Sequence, residues 1–136
     1  MKPTTGKFIL AMLVAITIAS SASAQCVIYI CPETNVFGYA WSNNSYEHPT
    51  INDLSEIAEQ KCIESGGTAC RLWKTYEKTG WYGIIRYKDS DGHSHLSTSQ
   101  ANAEQNEAEE DLNAILKEQK AVETTYRKTF RVYNNH

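Results

Sequence analysis

Apolar residues recur along this chain with two different periods, every second position in some stretches and every third or fourth in others. Val27-Ile28-Tyr29-Ile30 is a short β-branched run, and Pro32-Glu33-Thr34-Asn35 after it reads as a turn. In Val36-Phe37-Gly38-Tyr39-Ala40-Trp41 the three aromatics all take odd positions, which places Phe37, Tyr39 and Trp41 on one face of a strand. The two runs predict a hairpin. Ser42 to Pro49 is polar and loop-like.

The period then lengthens. Thr50 and Asp53 suit a helix start, a side-chain oxygen accepting an orphan amide. Ile51, Leu54, Ile57, Ala58 and Cys62 follow at helical steps until Gly66-Gly67. Arg71 to Tyr76 and Trp81 to Tyr87 read as strands, and Asp89-Ser90-Asp91-Gly92 as a tight turn into His93 to Leu96. From Ser99 to Thr124 the composition predicts one long polar helix. Glu104, Glu107, Glu109, Glu110 and Asp111 precede Lys117 and Lys120, as the helix dipole favours, and Ala101, Ala108, Leu112 and Ile115 form a thin apolar stripe. Thr129 to Tyr133 makes a last strand. The two halves share one order, hairpin, helix, strand. The expected fold is therefore α+β, a small antiparallel sheet with two helices and an internal duplication.

The first residues change the picture. Lys2 and Lys7 precede an apolar run from Phe8 to Ala19, and small residues end in Ala22-Ser23-Ala24. This is the pattern of a cleavable export signal, with cleavage after Ala24. The apolar core, about a dozen residues, is short of the roughly 20 that span a membrane. The expected organisation is thus a signal peptide over 1–24 and a single exported domain over 25–136, periplasmic or secreted, with no membrane span after cleavage. The chain carries 13 basic and 16 acidic residues, net −3, and the leader holds two of the basic ones and no acidic one. An acidic remainder argues against nucleic acid as a partner.

Cys26, Cys31, Cys62 and Cys70 all follow the leader, and an even number in a small exported domain predicts disulfides. No C-x2-C pair supports zinc. A chain doubling back through Ser65-Gly66-Gly67 favours Cys62–Cys70. Cys26 and Cys31, about 16 Å apart if fully extended, either bend toward each other or reach across to Cys62 and Cys70.

The run from Val27 to Trp41, the helix ending in Cys62, Gly66-Gly67 and Cys70 resemble a family of small secreted bacterial domains, the domain of unknown function "forty-one eighty-nine". Trp81-Tyr82-Gly83-Ile84-Ile85 looks like the second copy of the opening strand. The likeness covers roughly residues 27 to 112 and implies an exported α+β domain of no established activity, from bacterial envelopes. It departs from the family in having no cysteine in or after the second helix, and it carries no catalytic residue to transfer.

Chemistry is sparse. His93 and His95 share a strand face near Asp89 and Asp91 and are the weak metal candidates, but two ligands make no site and a polar edge strand explains them. Asp89-Ser90-Asp91-Gly92 lacks the later ligands of a calcium loop. No G-x-S-x-G elbow or phosphate-cradling loop occurs. A cysteine nucleophile would need a free thiol, and disulfides are expected here. The expectation is a non-enzymatic protein without cofactor, binding a protein partner. Tyr39, Trp41 and Tyr46 are its candidate contact surface. An immunity protein that blocks a toxin is the sharper version. A structural or cell-wall-associated envelope protein is the alternative, and a metal-binding or enzymatic protein using His93 and His95 is a third reading.

Overall fold

The computed structural model describes residues 25–43 and 50–133. The predicted leader, Tyr46 and residues 134–136 lie outside them. Strands β1 (Cys26–Cys31) and β2 (Val36–Trp41) form the expected hairpin, helix α1 (Ile51–Glu64) follows, and β3 (Arg71–Tyr76) completes a first unit. The second unit repeats the order with β4 (Gly80–Lys88), β5 (Ser94–Thr98), α2 (Gln105–Glu118) and β6 (Glu123–Val132). The fold is α+β with two helices, as expected, and its antiparallel strands divide between two sheets, ordered β2-β1-β3 and β5-β4-β6. In each sheet the first strand of the unit is central, flanked by its hairpin partner and by the strand after the helix. The duplication is a repeat of topology.

Strand periodicity decides how these pieces stack. On β1 and β2, Cys26, Ile28, Ile30, Phe37, Tyr39 and Trp41 face the second sheet. Val27 and Ala40 on the opposite face meet Leu54 and Ala58 of α1. From the second sheet Tyr82, Ile84, Phe130 and Val132 close the central core, while Ile85 and Tyr87 point outward to Leu112 of α2. The result is four layers, helix, sheet, sheet, helix. Strand β4 is buried on both faces, which accounts for its near-continuous apolar run.

Helix α1 starts as the sequence suggests. The Thr50 hydroxyl accepts from the Asp53 amide at 3.1 Å, and the Asp53 carboxylate accepts from the Thr50 amide at 2.9 Å. Its buried stripe is Leu54, Ala58 and Cys62, whereas Ile57 is 44% exposed and lies off that face. A Cβ on Gly38 of β2 would overlap the Ala58 carbonyl oxygen and the Cys62 amide nitrogen and lie 2.8 Å from the Lys61 carbonyl carbon. Glycine there lets helix and strand touch backbone to backbone.

The long helix expected over 99–124 is shorter at both ends. Ser99 to Asn102 extends the sheet instead. The Ser99 amide donates to the Gly83 carbonyl at 2.9 Å, and Trp81 and Asn102 exchange backbone bonds of 2.7 and 2.9 Å. Ala101 therefore packs against the central core, not on a helical stripe. At the other end Lys120 adopts φ 54°, and the Ala121 amide turns back to the Leu116 carbonyl at 3.0 Å. Strand β6 then begins at Glu123, well before Thr129, and pairs with β4 from Lys88 to Gly80.

Candidate functional site

Strands β2 and β6 are each at an edge of their sheet, and they lie side by side at one flank of the sandwich. Phe37, Tyr39 and Trp41 from β2 meet Tyr126 and Phe130 from β6, with ring centroids 4.7 to 6.4 Å apart. The Tyr39 and Tyr126 hydroxyls share a hydrogen bond of 2.7 Å. Burial first, and that bond second, push the ionisation of Tyr39 upward, so its phenol stays neutral. Over these rings opens a cleft of about 470 Å³, lined also by Lys61, Glu64 and Ser65 of α1, Arg86 of β4 and Lys128 of β6.

The cations of this cleft rest on its aromatic faces. Lys61 Nζ is 5.9 Å and Lys128 Nζ 5.4 Å from the Trp41 ring centre, and Arg86 Cζ is 5.4 Å from that of Phe37. Arg86 is held in place as well. Its Nε donates to Thr125 Oγ1 at 3.0 Å and its Nη1 to the Asn35 carbonyl at 2.9 Å. Thr125 is available because β6 bulges there, Arg86 pairing with Tyr126 and Tyr87 with Thr124. Among the described residues no carboxylate lies within salt-bridge distance of Lys61, Arg86 or Lys128; the ion pairs are His93–Asp89, His95–Asp89 and Arg127–Glu109. Glu64 is the one carboxylate in the lining, and its Oε2 accepts from Gln60 at 3.2 Å.

The expected contact surface is redistributed. Tyr39 is only 7% exposed and belongs to the core, contributing its hydroxyl to the cleft floor. Trp41 is half-buried and lines the cleft, and Tyr46 falls outside the described residues. Sequence reading missed Lys61, Arg86 and Lys128. A signal for two of them was present: on the alternation of β4 and β6, Arg86 and Lys128 occupy core-facing positions, in phase with Ile84 and Phe130.

The cysteines also differ from expectation. Cys62 and Cys70 are bonded, with Cα atoms 6.2 Å apart, and Gly67 leaves the room their sulfurs need. Cys26 and Cys31 are unpaired, both buried. They cannot join each other, because an odd separation of five positions along a regular strand puts them on opposite faces of β1. Burial between the sheets pushes the Cys26 thiol up to about 12. Cys31 is lowered to about 7, first by the Thr34 hydroxyl donating at 3.1 Å and then by the Ala69 amide, against an opposing effect of burial. It is a buried thiol whose ionisation its hydrogen-bonding neighbours favour.

At the β4–β5 turn, ligand atoms of Asp89, Asp91 and His93 lie within 4.8 Å of one another. The turn itself explains that convergence. Asp89 Oδ1 accepts from the amides of Asp91 and His93 at 2.8 and 3.0 Å, and Oδ2 meets His95 Nε2 at 2.8 Å. The His95 bond leads the causes that lower Asp89 to about 2. These side chains close a hairpin, and His95, the second candidate histidine, is bonded to Asp89 rather than gathered with Asp91 and His93. Among the described residues no helix is long and apolar enough to cross a membrane. Compared with protein-family models, curated proteins and solved structures, the chain matches none.

Proposed function

We propose that the protein is an exported, non-catalytic binding domain that works through the cleft between β2 and β6. The observation that carries this reading is the set of three cations laid on aromatic faces without carboxylate partners among the described residues. Holding lysines and an arginine on rings restricts side chains that would otherwise lose much entropy on binding, so the cleft is partly organised in advance. The aromatic and arginine composition is that of binding hot spots. Export rests on the Met1–Ala24 pattern, and an intact-mass measurement on the protein from its producing organism should find Gln25 as the first residue.

The partner in this reading is a protein, and an immunity role against a toxin is its sharper form. The leader pattern over Met1–Ala24 is what supports the envelope as the setting. Lys128→Glu reverses a charge at an exposed position over Trp41. Immobilised parent and Lys128→Glu protein are exposed to the envelope fraction of the producing organism. A protein retained by the parent and lost from the variant supports the cleft as the working surface, and identical retention by both refutes it.

A further inference from the structure

We infer that the cleft recognises an acidic segment of its partner, whose carboxylates are received by Lys61, Arg86 and Lys128. The inference rests on the binding-domain reading and names the ligand chemistry of the same site. The first ground is charge. The whole chain is acidic, net −3, yet this flank gathers three cations around one carboxylate that is already bonded to Gln60. A local positive patch on a negative protein attracts a short anionic segment and repels a long one, since the extended charge of a nucleic acid or an anionic lipid surface would also meet the acidic remainder.

The second ground is which faces are free. A neutral sugar or a nucleobase binds by stacking on bare rings. Here Trp41 has two ammonium groups within 6 Å of its centre and Phe37 carries the Arg86 guanidinium. The rings serve as supports for cations. The third ground is the donor geometry. Arg86 uses Nε and Nη1 on Thr125 and Asn35, which fixes the plane of the guanidinium and leaves Nη2 for an incoming carboxylate. Between Tyr39 and Tyr126 one hydroxyl proton is spent on the mutual bond and the other remains to donate to a ligand oxygen.

The test uses fluorescein-labelled hexaglutamate as probe, with hexaglutamine as neutral control, read by fluorescence anisotropy. The variant is Lys61→Gln/Lys128→Gln, both exposed positions, checked for an unchanged melting temperature. Hexaglutamate should bind the parent, weaken at least about tenfold in the double variant and weaken again with added salt, while hexaglutamine should not bind. Absence of hexaglutamate binding overturns the inference, as does equal binding to the double variant. Soluble muropeptides form a further arm. If they bind in a Lys61- and Lys128-dependent way and hexaglutamate does not, the acidic-segment assignment fails while the cleft survives as a binding site. If neither probe binds and the envelope fraction yields no cleft-dependent protein, both readings fail.

Discussion

The contact between Gly38 and α1 gives the sharpest test of the architecture. Substitution by alanine would place a methyl group in space held by the Ala58 carbonyl oxygen and the Cys62 amide nitrogen. These are backbone atoms of a helix and cannot rotate aside, so α1 as a whole must retreat by roughly 1 Å. A gap of that size forfeits a quarter to a half of each affected dispersion contact, and the layer affected holds Val27, Ala40, Leu54 and Ala58. Overpacking in a rigid core costs about 1–3 kcal/mol, and the opened layer places Gly38→Ala at the upper end. The entropic gain from removing a glycine offsets about 0.5–1 kcal/mol of that. A net loss of about 2 kcal/mol lowers the melting temperature by roughly 8–15 °C in a domain of this size. Gly66→Ala is the control, since its Cβ would meet nothing within 4 Å and only its φ of 109° is strained. Thermal unfolding followed by circular dichroism measures both. A Gly38→Ala protein melting within about 3 °C of the parent would refute the backbone-to-backbone contact.

Reduction of Cys62–Cys70, which closes a short loop over a sequence separation of 8, should cost about 2–3 kcal/mol, read as a fall in the urea midpoint with dithiothreitol. An unchanged midpoint would show that the bond does not constrain the unfolded chain. Tyr39→Phe and Tyr126→Phe should each lose about 0.5–1.5 kcal/mol, and the double variant less than their sum, because both remove the same bond; strict additivity would exclude a coupled pair. Cys31 ionises near 7 in the folded chain, below the range of an exposed thiol. Its contribution is therefore present above that range and lost as pH falls through about 7. Between pH 7 and 9 the urea midpoint of the parent should rise relative to Cys31→Ala, and parallel pH profiles would rule out the ionised thiol.

The elements whose burial follows a single period were legible in the sequence. The odd-numbered aromatics of β2 and the Leu54, Ala58, Cys62 spacing of α1 each report one buried face, and Thr50 with Asp53 marks the helix start correctly. Strand β6 was hard to read for a physical reason. Its core-facing positions run Tyr126, Lys128, Phe130, Val132, and a lysine in that series breaks the alternation. With Lys120 and Glu123 among them, residues 119–124 then read as more of the helix. The helix starts later than composition predicts because Ser99 to Asn102 is held by partners distant in sequence, Gly83 and Trp81, which no local composition reveals. The cleft was illegible for the same cause: it joins β2 to β6, and the bond between Tyr39 and Tyr126 spans 87 residues. The two unpaired cysteines illustrate a further limit. Even numbers favour pairing, but strand parity forbids Cys26 to Cys31, and Cys26 is sealed between sheets where no other thiol reaches.

Ser42 ties together three distant points of the chain. Its amide donates to the Gln25 carbonyl at 2.9 Å, its hydroxyl accepts from the Gln25 amide at 3.2 Å, and its carbonyl accepts from the Tyr133 amide at 2.9 Å. The entry to β1 and the exit from β6 are thereby neighbours, while the chain passes from the first unit to the second through Glu77, Lys78 and Thr79. A circular permutant cut between Glu77 and Thr79, with a short bridge between Tyr133 and Gln25, would keep every pairing of both sheets. The order of the two units along the chain would then be separable from their packing, which rests on the core shared by both sheets as well as on Ser42.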